Sequence, residues 1–507
     1  MAPGDISPLR LRKKIAQFAK FVMLNCFDPD TGEFDFIKGL MKPSADGSYT
    51  FGLANMINPE IDDIGPMVEV EEDEVKRRKK YRRVDWTKTF WYIQYVLDEK
   101  GEWSDTTHRN GKLFRTRFVV DLEDIKEVCN AIKALPEDKA IWTDKVGLSA
   151  PLELYVLGAF RMLARNWTFD DLYEATGISR QCHAVFFPKF VKWYATDVFP
   201  LVVTMPDPNN EEEVRQNGAE YKAAGFTELT VASVDVVHIR QWSTDRNLLV
   251  PSTGKEKFPT RAFQVMCNHR RMILSATTGF YGGTNDLTIV KFDNNAVAIR
   301  RGMYRHLKTK VFNKDGEERD MQGGFLINDN GYHKWSTNMN PSKNPADEEE
   351  YRWSEMLESL RKDIECVFGA EKQMFAILKY GCRLNIEVLD DVFLTCCAIY
   401  NQRMRKYNKD DPWTELIGEY EGNDEGNDLA VFERMRTASA AAGVPVPPNR
   451  GLPPDMQLHV DEEEIELGYA ERRQMLIEHF NYLLKNGQVK WPRINARWHS
   501  YQPTYED

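Results

Sequence analysis

Three acidic residues lie where apolar segments end or are interrupted, an arrangement that can bind metal ions. Asp235 interrupts a β-branched run at residues 229–237, which predicts a strand. Asp329 follows the apolar residues 325–327, a second predicted strand, and Glu365 lies on a predicted long helix. A single acid of this kind usually makes a turn or faces solvent. Three together favour a site of oxygen ligands for a hard divalent cation such as Mg²⁺.

The helix that carries Glu365 is predicted from apolar residues that recur at three- and four-residue steps. This stripe consists of Trp353, Leu357, Leu360, Ile364 and Phe368. Side chains at such steps lie above one another, so Glu365 shares a neighbouring stripe with Glu358, Arg361 and Lys372. Arg361 and Lys372 are therefore expected near the acidic site, where their charge could hold a phosphate.

Several motifs resemble, in their order along the chain, those of the PIF/Harbinger superfamily of DDE transposases found in plants, algae and oomycetes. They read VASVDVVHI, LINDNGYHKWST, ESLRKDIECVFGAEKQMFAILK and DDVFLTCCAIYNQ. The resemblance extends from Trp86 to Gln402. It implies an α/β fold in which a helical, helix-turn-helix-like domain precedes an RNase H-like catalytic domain, a mixed sheet flanked by helices.

The resemblance also implies a site and a reaction. Asp235, Asp329 and Glu365 would be the catalytic residues and would ligate two Mg²⁺ or Mn²⁺ ions, with Asp235 shared between them. The enzyme would cut transposon ends and join the freed 3′-hydroxyls to target DNA. Two alternatives stay open: a domesticated, catalytically silent DNA-binding protein, and a nuclease that hydrolyses DNA without strand transfer.

Three further polar residues lie near these motifs. Asp286, after a Gly-Gly-Thr-Asn turn, is interpreted first as a helix-start or supporting residue and second as a metal ligand. His238 is interpreted as a strand-edge or substrate-contacting residue, because the site requires oxygen donors. Glu371 departs from the hydrophobic residue common in relatives and is expected to add negative charge near the cleft.

Helix signals upstream predict a helix-turn-helix at residues 168–194. Thr168 and Asp171 form a capping pattern, Gly177 ends that helix and Ser179 caps the next one. In such a motif Arg180, Gln181 and His183 would start the helix that enters the major groove of DNA. The alternative is a three-helix core that does not touch DNA, and Pro188 is expected to shorten its last helix.

The net charge of −11 argues at first against a nucleic-acid partner, but the acidic residues are clustered and two basic segments remain. Residues 76–83 form a basic run that favours nuclear import, with DNA contact or a solvated linker as alternatives. The second segment carries Arg300, Arg301, Arg305 and Lys308, which suit phosphate contacts.

Composition and the positions of turn- and loop-forming residues predict the domain organisation of the 507 residues. We expect a partly disordered leader at 1–84, a helical DNA-binding region at 85–205, a linker at 206–227, the catalytic domain at 228–402 and a polar tail with one helix at 403–507. The eight cysteines lack metal-ligand spacing and are expected to be reduced thiols. No apolar run suits a membrane span, so a soluble, intracellular chain is expected.

The expected partner is double-stranded DNA, both transposon terminal repeats and target. The resemblance further implies nuclear localisation, a separate Myb-like accessory protein and a homo-oligomer on DNA.

Overall fold

The computed structural model describes residues 41–43, 49–51, 85–143, 150–407 and 462–490. Two units are distinguished along the chain, Met1–Arg82 and Arg83–Asp507. In the first unit, β1 (Met41–Pro43) pairs antiparallel with β2 (Tyr49–Phe51). The remainder of the predicted leader, including the basic run at 76–83, lies outside the described residues.

A helical region opens the second unit. Its helices are α1 (Arg109–Phe118), α2 (Leu122–Lys133), α3 (Leu152–Arg165), α4 (Phe169–Thr176), α5 (Arg180–Trp193) and α6 (Phe199–Val202). The predicted caps of α4 and α5 are confirmed: Thr168 and Asp171 form a capping box, Gly177 ends α4 at a φ of 70°, and the Ser179 hydroxyl accepts from Cys182 N–H. Helix α5 continues through Pro188, so the expected shortening is wrong; the buried Phe187 and Phe190 pack this helix on both sides of the proline.

Residues 206–227 were predicted to be a linker, but they form packed structure. The segment contains α7 (Glu211–Asn217) and α8 (Ala219–Ala223). Asn210 caps α7, and the acidic residues that suggested a loop occupy its first turn, where the helix dipole favours negative charge. Tyr221 and Phe226 are buried, so this segment belongs to the core of the sheet region.

The sheet region is mixed in strand direction and flanked by helices. Its elements are β3 (Thr230–Arg240), α9 (Leu249–Ser252), β4 (Thr260–Cys267), β5 (Ile273–Ala276), β6 (Phe280–Tyr281), α10 (Asp286–Ile289), α11 (Asn294–Arg300), β7 (Lys308–Phe312), β8 (Glu318–Gln322), β9 (Phe325–Ile327) and β10 (Asn338–Met339). The main sheet has the order β10-β9-β3-β4-β5, and β6 also pairs with β4. Strand β4 is antiparallel to both β3 and β5, whereas β9 is parallel to both β3 and β10.

Three helices follow the sheet: α12 (Glu348–Met374), α13 (Ala376–Tyr380) and α14 (Ile386–Tyr407). The predicted apolar stripe of α12 is confirmed, since Trp353, Leu357, Leu360 and Ile364 are fully buried. One face of β3 packs on this layer through Val237 and Ile239. Side chains alternate along a strand, so Asp235 lies on the same face, towards α12.

The C-terminal helix α15 (Glu462–Lys485) packs back on the sheet region. Phe480 is buried against Phe226 at a ring distance of 6.0 Å. His479 Nδ1 accepts the backbone N–H of Phe312. The β7–β8 hairpin and α12 therefore both depend on a helix that lies more than fifty residues beyond α14 in the sequence.

The cysteines in the described ranges are free thiols. None of the helices in those ranges combines the length and apolarity that spanning a bilayer requires.

Replacement of Phe480 by alanine should release α15 from the sheet region. Loss of a buried phenylalanine costs about 3 kcal/mol, so amide hydrogen exchange within α15 should speed up about a hundredfold. The matched control is Gln474→Ala on the exposed face of the same helix, which should change exchange only a few-fold. Equal protection in both variants would contradict the docked position of α15.

Candidate functional site

Two neighbouring parallel strands bring Asp235 and Asp329 together. Ala232 pairs with Leu326 and Ser233 with Ile327, and continuing this register by two residues places Asp235 beside Asp329. Asp235 Oδ1 accepts the backbone N–H of Val236 at 2.8 Å. Asp329 Oδ1 accepts the N–H of Gly331 at 2.7 Å. Both carboxylates are thus oriented by the backbone that carries them.

Asp286 faces the same space as Asp329. It is the first residue of α10, and Asn285 rather than Asp286 caps that helix. A Cβ added to Gly331 would lie 2.9 Å from Asp329 Oδ1 and 3.5 Å from Asp286 Oδ2. The absence of a side chain at Gly331 therefore lets the backbone approach both carboxylates closely.

Burial and neighbouring charge raise the pKa of two of these aspartates. The pKa of Asp235 is raised to about 6, chiefly by burial and also by the charges of Asp329 and Asp286, against the opposing effects of the Val236 N–H and Arg361. Burial also raises the pKa of Asp286, again with a contribution from Asp329, while Lys255 opposes it. This group of carboxylates therefore carries unfavourable negative charge at neutral pH.

Arg361 is the cation nearest to this charge. Its Nη1 lies 2.9 Å from Asp235 Oδ2, and its Nη2 lies 2.8 Å from Glu365 Oε1. The same guanidinium donates two hydrogen bonds to Glu358. Glu365 therefore contacts the aspartates through Arg361, and its side chain is 49% exposed.

Among the described residues, no group of three or more His, Cys, Asp or Glu side chains is placed to hold a metal ion. The donors nevertheless suit a hard divalent cation, because one or two carboxylates per ion suffice when phosphate supplies further ligands. Oxygens of two of them, Asp329 and Asp286, lie within 3.5 Å of one point beside Gly331. The Arg361 guanidinium neutralises oxygens of Asp235 and Glu365 where a metal ion would do the same.

Two buried polar residues beneath the aspartates escaped prediction from the sequence. Tyr332 is 3% exposed, and burial together with Asp235, Asp286 and Asp329 raises the pKa of its phenol. The Asn340 side chain donates to the backbone carbonyl of Asp329. The Asn-Gly-Tyr turn and the Asn-Met-Asn strand end would have indicated a loop only, since neither residue's orientation follows from local pattern.

His238, farther along β3, and Lys372, near the end of α12, both line the wall of a cavity. Lys372 Nζ is 3.4 Å from the backbone carbonyl of His238. Burial lowers the pKa of His238, and its Nδ1 contacts the Thr260 hydroxyl at 3.1 Å. A neutral imidazole in this position suits a hydrogen bond to the substrate better than an ion pair with it.

Two of the three residues predicted to contact DNA from α5 are exposed. Arg180 lies 3.4 Å from Asp170, with both side chains mostly in solvent, and Gln181 is exposed beside it. His183 is 2% exposed, and its Nε2 contacts the Thr176 hydroxyl. The DNA-contacting assignment of His183 is therefore wrong, because its ring fills the space beside Gly158 in the helical core.

The second basic segment turns between α11 and β7. Arg301, Arg305 and Lys308 are exposed there. Arg300 is half-buried, and its guanidinium lies 4.0 Å from the centroid of the Trp335 ring. Arg300 thus packs against the loop after Asp329, whereas the other three present their charge to solvent.

The expectation that Glu371 adds negative charge to the cleft is wrong. Its side chain is 1% exposed and lies at the interface of α12 with α14, beside Cys397. Burial raises its pKa to about 8, so the neutral acid is favoured at neutral pH. The helical period places Glu371 on the buried side of α12.

Residues 205–410 match the family described as plant transposon protein. The match includes all of the sheet strands from β3 to β10 as well as Asp235, Asp286, Asp329 and Glu365, and it supports a transposase-like protein. No curated protein and no solved structure matches the chain.

Replacement of Asp235 by asparagine should stabilise the metal-free protein above about pH 7. The folded pKa of about 6 exceeds the ordinary value of 3.8, so wild-type stability falls as pH rises between these values. A neutral amide avoids this loss, which amounts to at most about 3 kcal/mol. Thermal melting followed by circular dichroism should show the difference at about pH 7.5 and its disappearance towards about pH 4.

The control is Asp320→Asn, an exposed carboxylate whose pKa is lowered by its hydrogen bond with Lys310. This change should bring no stabilisation at any pH. A destabilised Asp235→Asn protein near neutral pH would contradict the unfavourable charge assigned to the aspartates.

Proposed function

We propose that the chain is a metal-dependent DNA transposase of the PIF/Harbinger superfamily, which cuts transposon ends and joins 3′-hydroxyls to target DNA. The observation that carries the proposal is the convergence of Asp235, Asp286 and Asp329 on adjoining loops and strands within the segment that matches a transposon-protein family. Glu365 joins them through Arg361.

The strand order supports an RNase H-like assignment for this domain. Such a sheet has three antiparallel strands followed by two parallel ones, and β5-β4-β3-β9-β10 has this arrangement. Asp235 lies on the central strand, Asp329 at the end of its parallel neighbour, and Glu365 on the helix that follows β10. These are the positions that the DDE assignment requires.

In the proposed mechanism, Asp235, Asp329 and Glu365 would hold two Mg²⁺ or Mn²⁺ ions. When bound, these ions would offset the charge of the phosphodiester and activate a water or a 3′-hydroxyl for attack. Arg361 orients Asp235 and Glu365, because its guanidinium donates a hydrogen bond to each carboxylate. Asp286 and Tyr332 place further polar side chains beside these carboxylates, and Lys372 places a cation beside β3.

DNA would be recognised by α4 and α5 as a helix-turn-helix. The exposed Arg180 and Gln181 at the start of α5 suit guanine and adenine edges, respectively. Arg301, Arg305 and Lys308 would contact phosphates. Nuclear localisation, a homo-oligomer on DNA and a Myb-like accessory protein complete the proposal by resemblance to the superfamily.

The second candidate function is a domesticated, catalytically silent DNA-binding protein. One observation favours it: Glu365 is bound to Arg361, and the described residues contain no ready-made cluster of three metal ligands. A nuclease without strand transfer is distinguished only by its products.

Removal of the Arg180 side chain should weaken binding to a duplex that contains the terminal repeat. A bidentate base contact contributes about 1–3 kcal/mol, so Arg180→Ala should raise the dissociation constant at least about fivefold and reduce sequence preference. Fluorescence anisotropy with repeat and scrambled duplexes measures both effects. Lys126→Ala, an exposed charge on α2, is the matched control and should leave the preference intact. Equal effects of both changes would favour the three-helix core that does not read DNA.

Glu365→Gln and Asp235→Asn should each abolish metal-dependent nicking of end-labelled repeat DNA. Loss of a metal ligand removes several kcal/mol of transition-state stabilisation, so the rate should fall about a thousandfold. The matched control is Glu358→Gln on the same helix, which also loses a bond to Arg361 but is not a proposed ligand. Its rate should stay within about tenfold of wild type.

The assay should include Mg²⁺ or EDTA, any accessory protein encoded by the element, and a target duplex. Joined products identify a transposase, and cut ends alone identify a nuclease. DNA that is bound but left intact by the wild-type protein would support the silent DNA-binding protein instead.

A further inference from the structure

A cavity of about 810 Å³ lies directly beside the aspartates. Its wall includes Val236, Val237 and His238, the three residues that follow Asp235 along β3. Lys255 connects the cavity with the aspartates as well, since it lines the cavity and its charge acts on Asp286. A chain that extends out of the aspartate group along β3 would therefore enter this cavity.

The charge of the cavity is strongly positive. Its lining cations are Arg165, Arg240, Lys255, Lys372, Lys379 and Arg383, against one lining carboxylate, Glu256. Cations gathered in a concave site focus a positive potential and attract anionic ligands. The spacing of several cations over one cavity suits an extended polyanion more closely than a single small anion.

Two aromatic rings stand exposed at the same cavity. Trp242 is 52% exposed and Tyr380 is 59% exposed. The Trp242 indole N–H donates to the Tyr380 backbone carbonyl at 2.8 Å, and the Arg240 guanidinium lies 3.6 Å from the Trp242 ring centroid. Trp242 is thus held in a defined orientation while much of its surface remains open to a ligand.

The backbone next to Tyr380 permits the close contact between Trp242 and the Tyr380 carbonyl. Gly381 has a φ of 90°, a conformation that side chains other than glycine rarely adopt. A Cβ there would lie 2.7 Å from the Arg240 carbonyl oxygen and 2.9 Å from Trp242 Nε1. The contact between the α13 end and the β3 end therefore depends on this glycine.

We propose that this cavity binds unpaired nucleotides of a DNA strand, with bases stacked on Trp242 and Tyr380 and phosphates held by Lys379, Arg383 and Lys372. Alternating rings and cations are the features that recognise single-stranded nucleic acid without sequence preference. A duplex keeps its base faces stacked inside and offers only phosphates, and an acidic peptide offers charge without planar rings. The identification of this strand with the one that is cut rests on the proposed function.

The proposal is tested by the binding of a fluorescent single-stranded oligonucleotide to the full chain in EDTA. Stacking on one ring contributes enough for Trp242→Ala to weaken binding about tenfold, whereas Trp242→Phe, which keeps a ring, should remain within about threefold of wild type. Tyr380→Ala should weaken binding similarly. The matched control is Tyr351→Ala, an exposed tyrosine about 30 Å away along α12, which should change nothing.

A second readout separates stacking from charge. An oligonucleotide containing 2-aminopurine should lose fluorescence on binding to wild type and to Trp242→Phe, but less on binding to Trp242→Ala. Lys379→Ala should reduce the salt dependence of binding while leaving this quenching in place. The proposal is overturned if Trp242→Ala and Tyr380→Ala bind single strands as wild type does, or if poly-glutamate competes as effectively as single-stranded DNA.

Cleavage assays distinguish this inference from the proposed function. If wild type nicks DNA but the ring variants neither lose single-strand binding nor slow the nicking of a duplex with unpaired nucleotides at its end, the transposase assignment stands and the cavity assignment fails. If wild type never cleaves but binds single strands through Trp242 and Tyr380, the cavity assignment stands without the reaction.

Discussion

Mutual repulsion among three partly buried aspartates is the constraint around which the sheet region is organised. Asp235 and Asp329 are brought together by the parallel register of β3 and β9, and Asp286 approaches from the start of α10. Burial and proximity raise the pKa of Asp235 to about 6. A fold without a use for these charges would be more stable with a neutral or apolar residue at each position.

The guanidinium of Arg361, on the helix α12 that packs against the sheet, offsets this charge. Arg361 is 7% exposed and reaches Asp235 only because Leu357, Leu360 and Ile364 anchor α12 against the sheet. Phe226, Trp353 and Phe480 extend the same packing to α15. The electrostatics of the site and the packing of the C-terminal helix are thus connected through one helix, α12.

The same strand that carries Asp235 also forms one wall of the basic cavity, so the acidic and basic surfaces are adjacent. Carboxylates whose mutual repulsion a bound cation would reduce lie next to cationic side chains that can hold phosphates. This pairing of opposite potentials along β3 suits a polyanionic strand that crosses from one surface to the other. It also explains why an overall charge of −11 is compatible with a nucleic-acid ligand.

Local signals in the sequence were sufficient for most elements of the described fold. Periodicity predicted β3, β9 and α12, and capping residues predicted the end of α4 and the start of α5, because each signal lies within a few neighbouring residues. The acidic residues of the site were likewise found at strand ends. The linker at 206–227 was mispredicted because composition outweighed the few apolar residues, Tyr221 and Phe226, that pack it into the core.

The sequence by itself therefore determined which residues form strands, which form helices and where acids interrupt them. Only the tertiary structure decided which way individual polar side chains point. It turned His183 and Glu371 inward, placed Arg361 between Asp235 and Glu365, and docked α15 on the sheet region. The physical reason is that a side chain's partners come from elements distant in sequence, and the packing of those elements selects its orientation and its charge state.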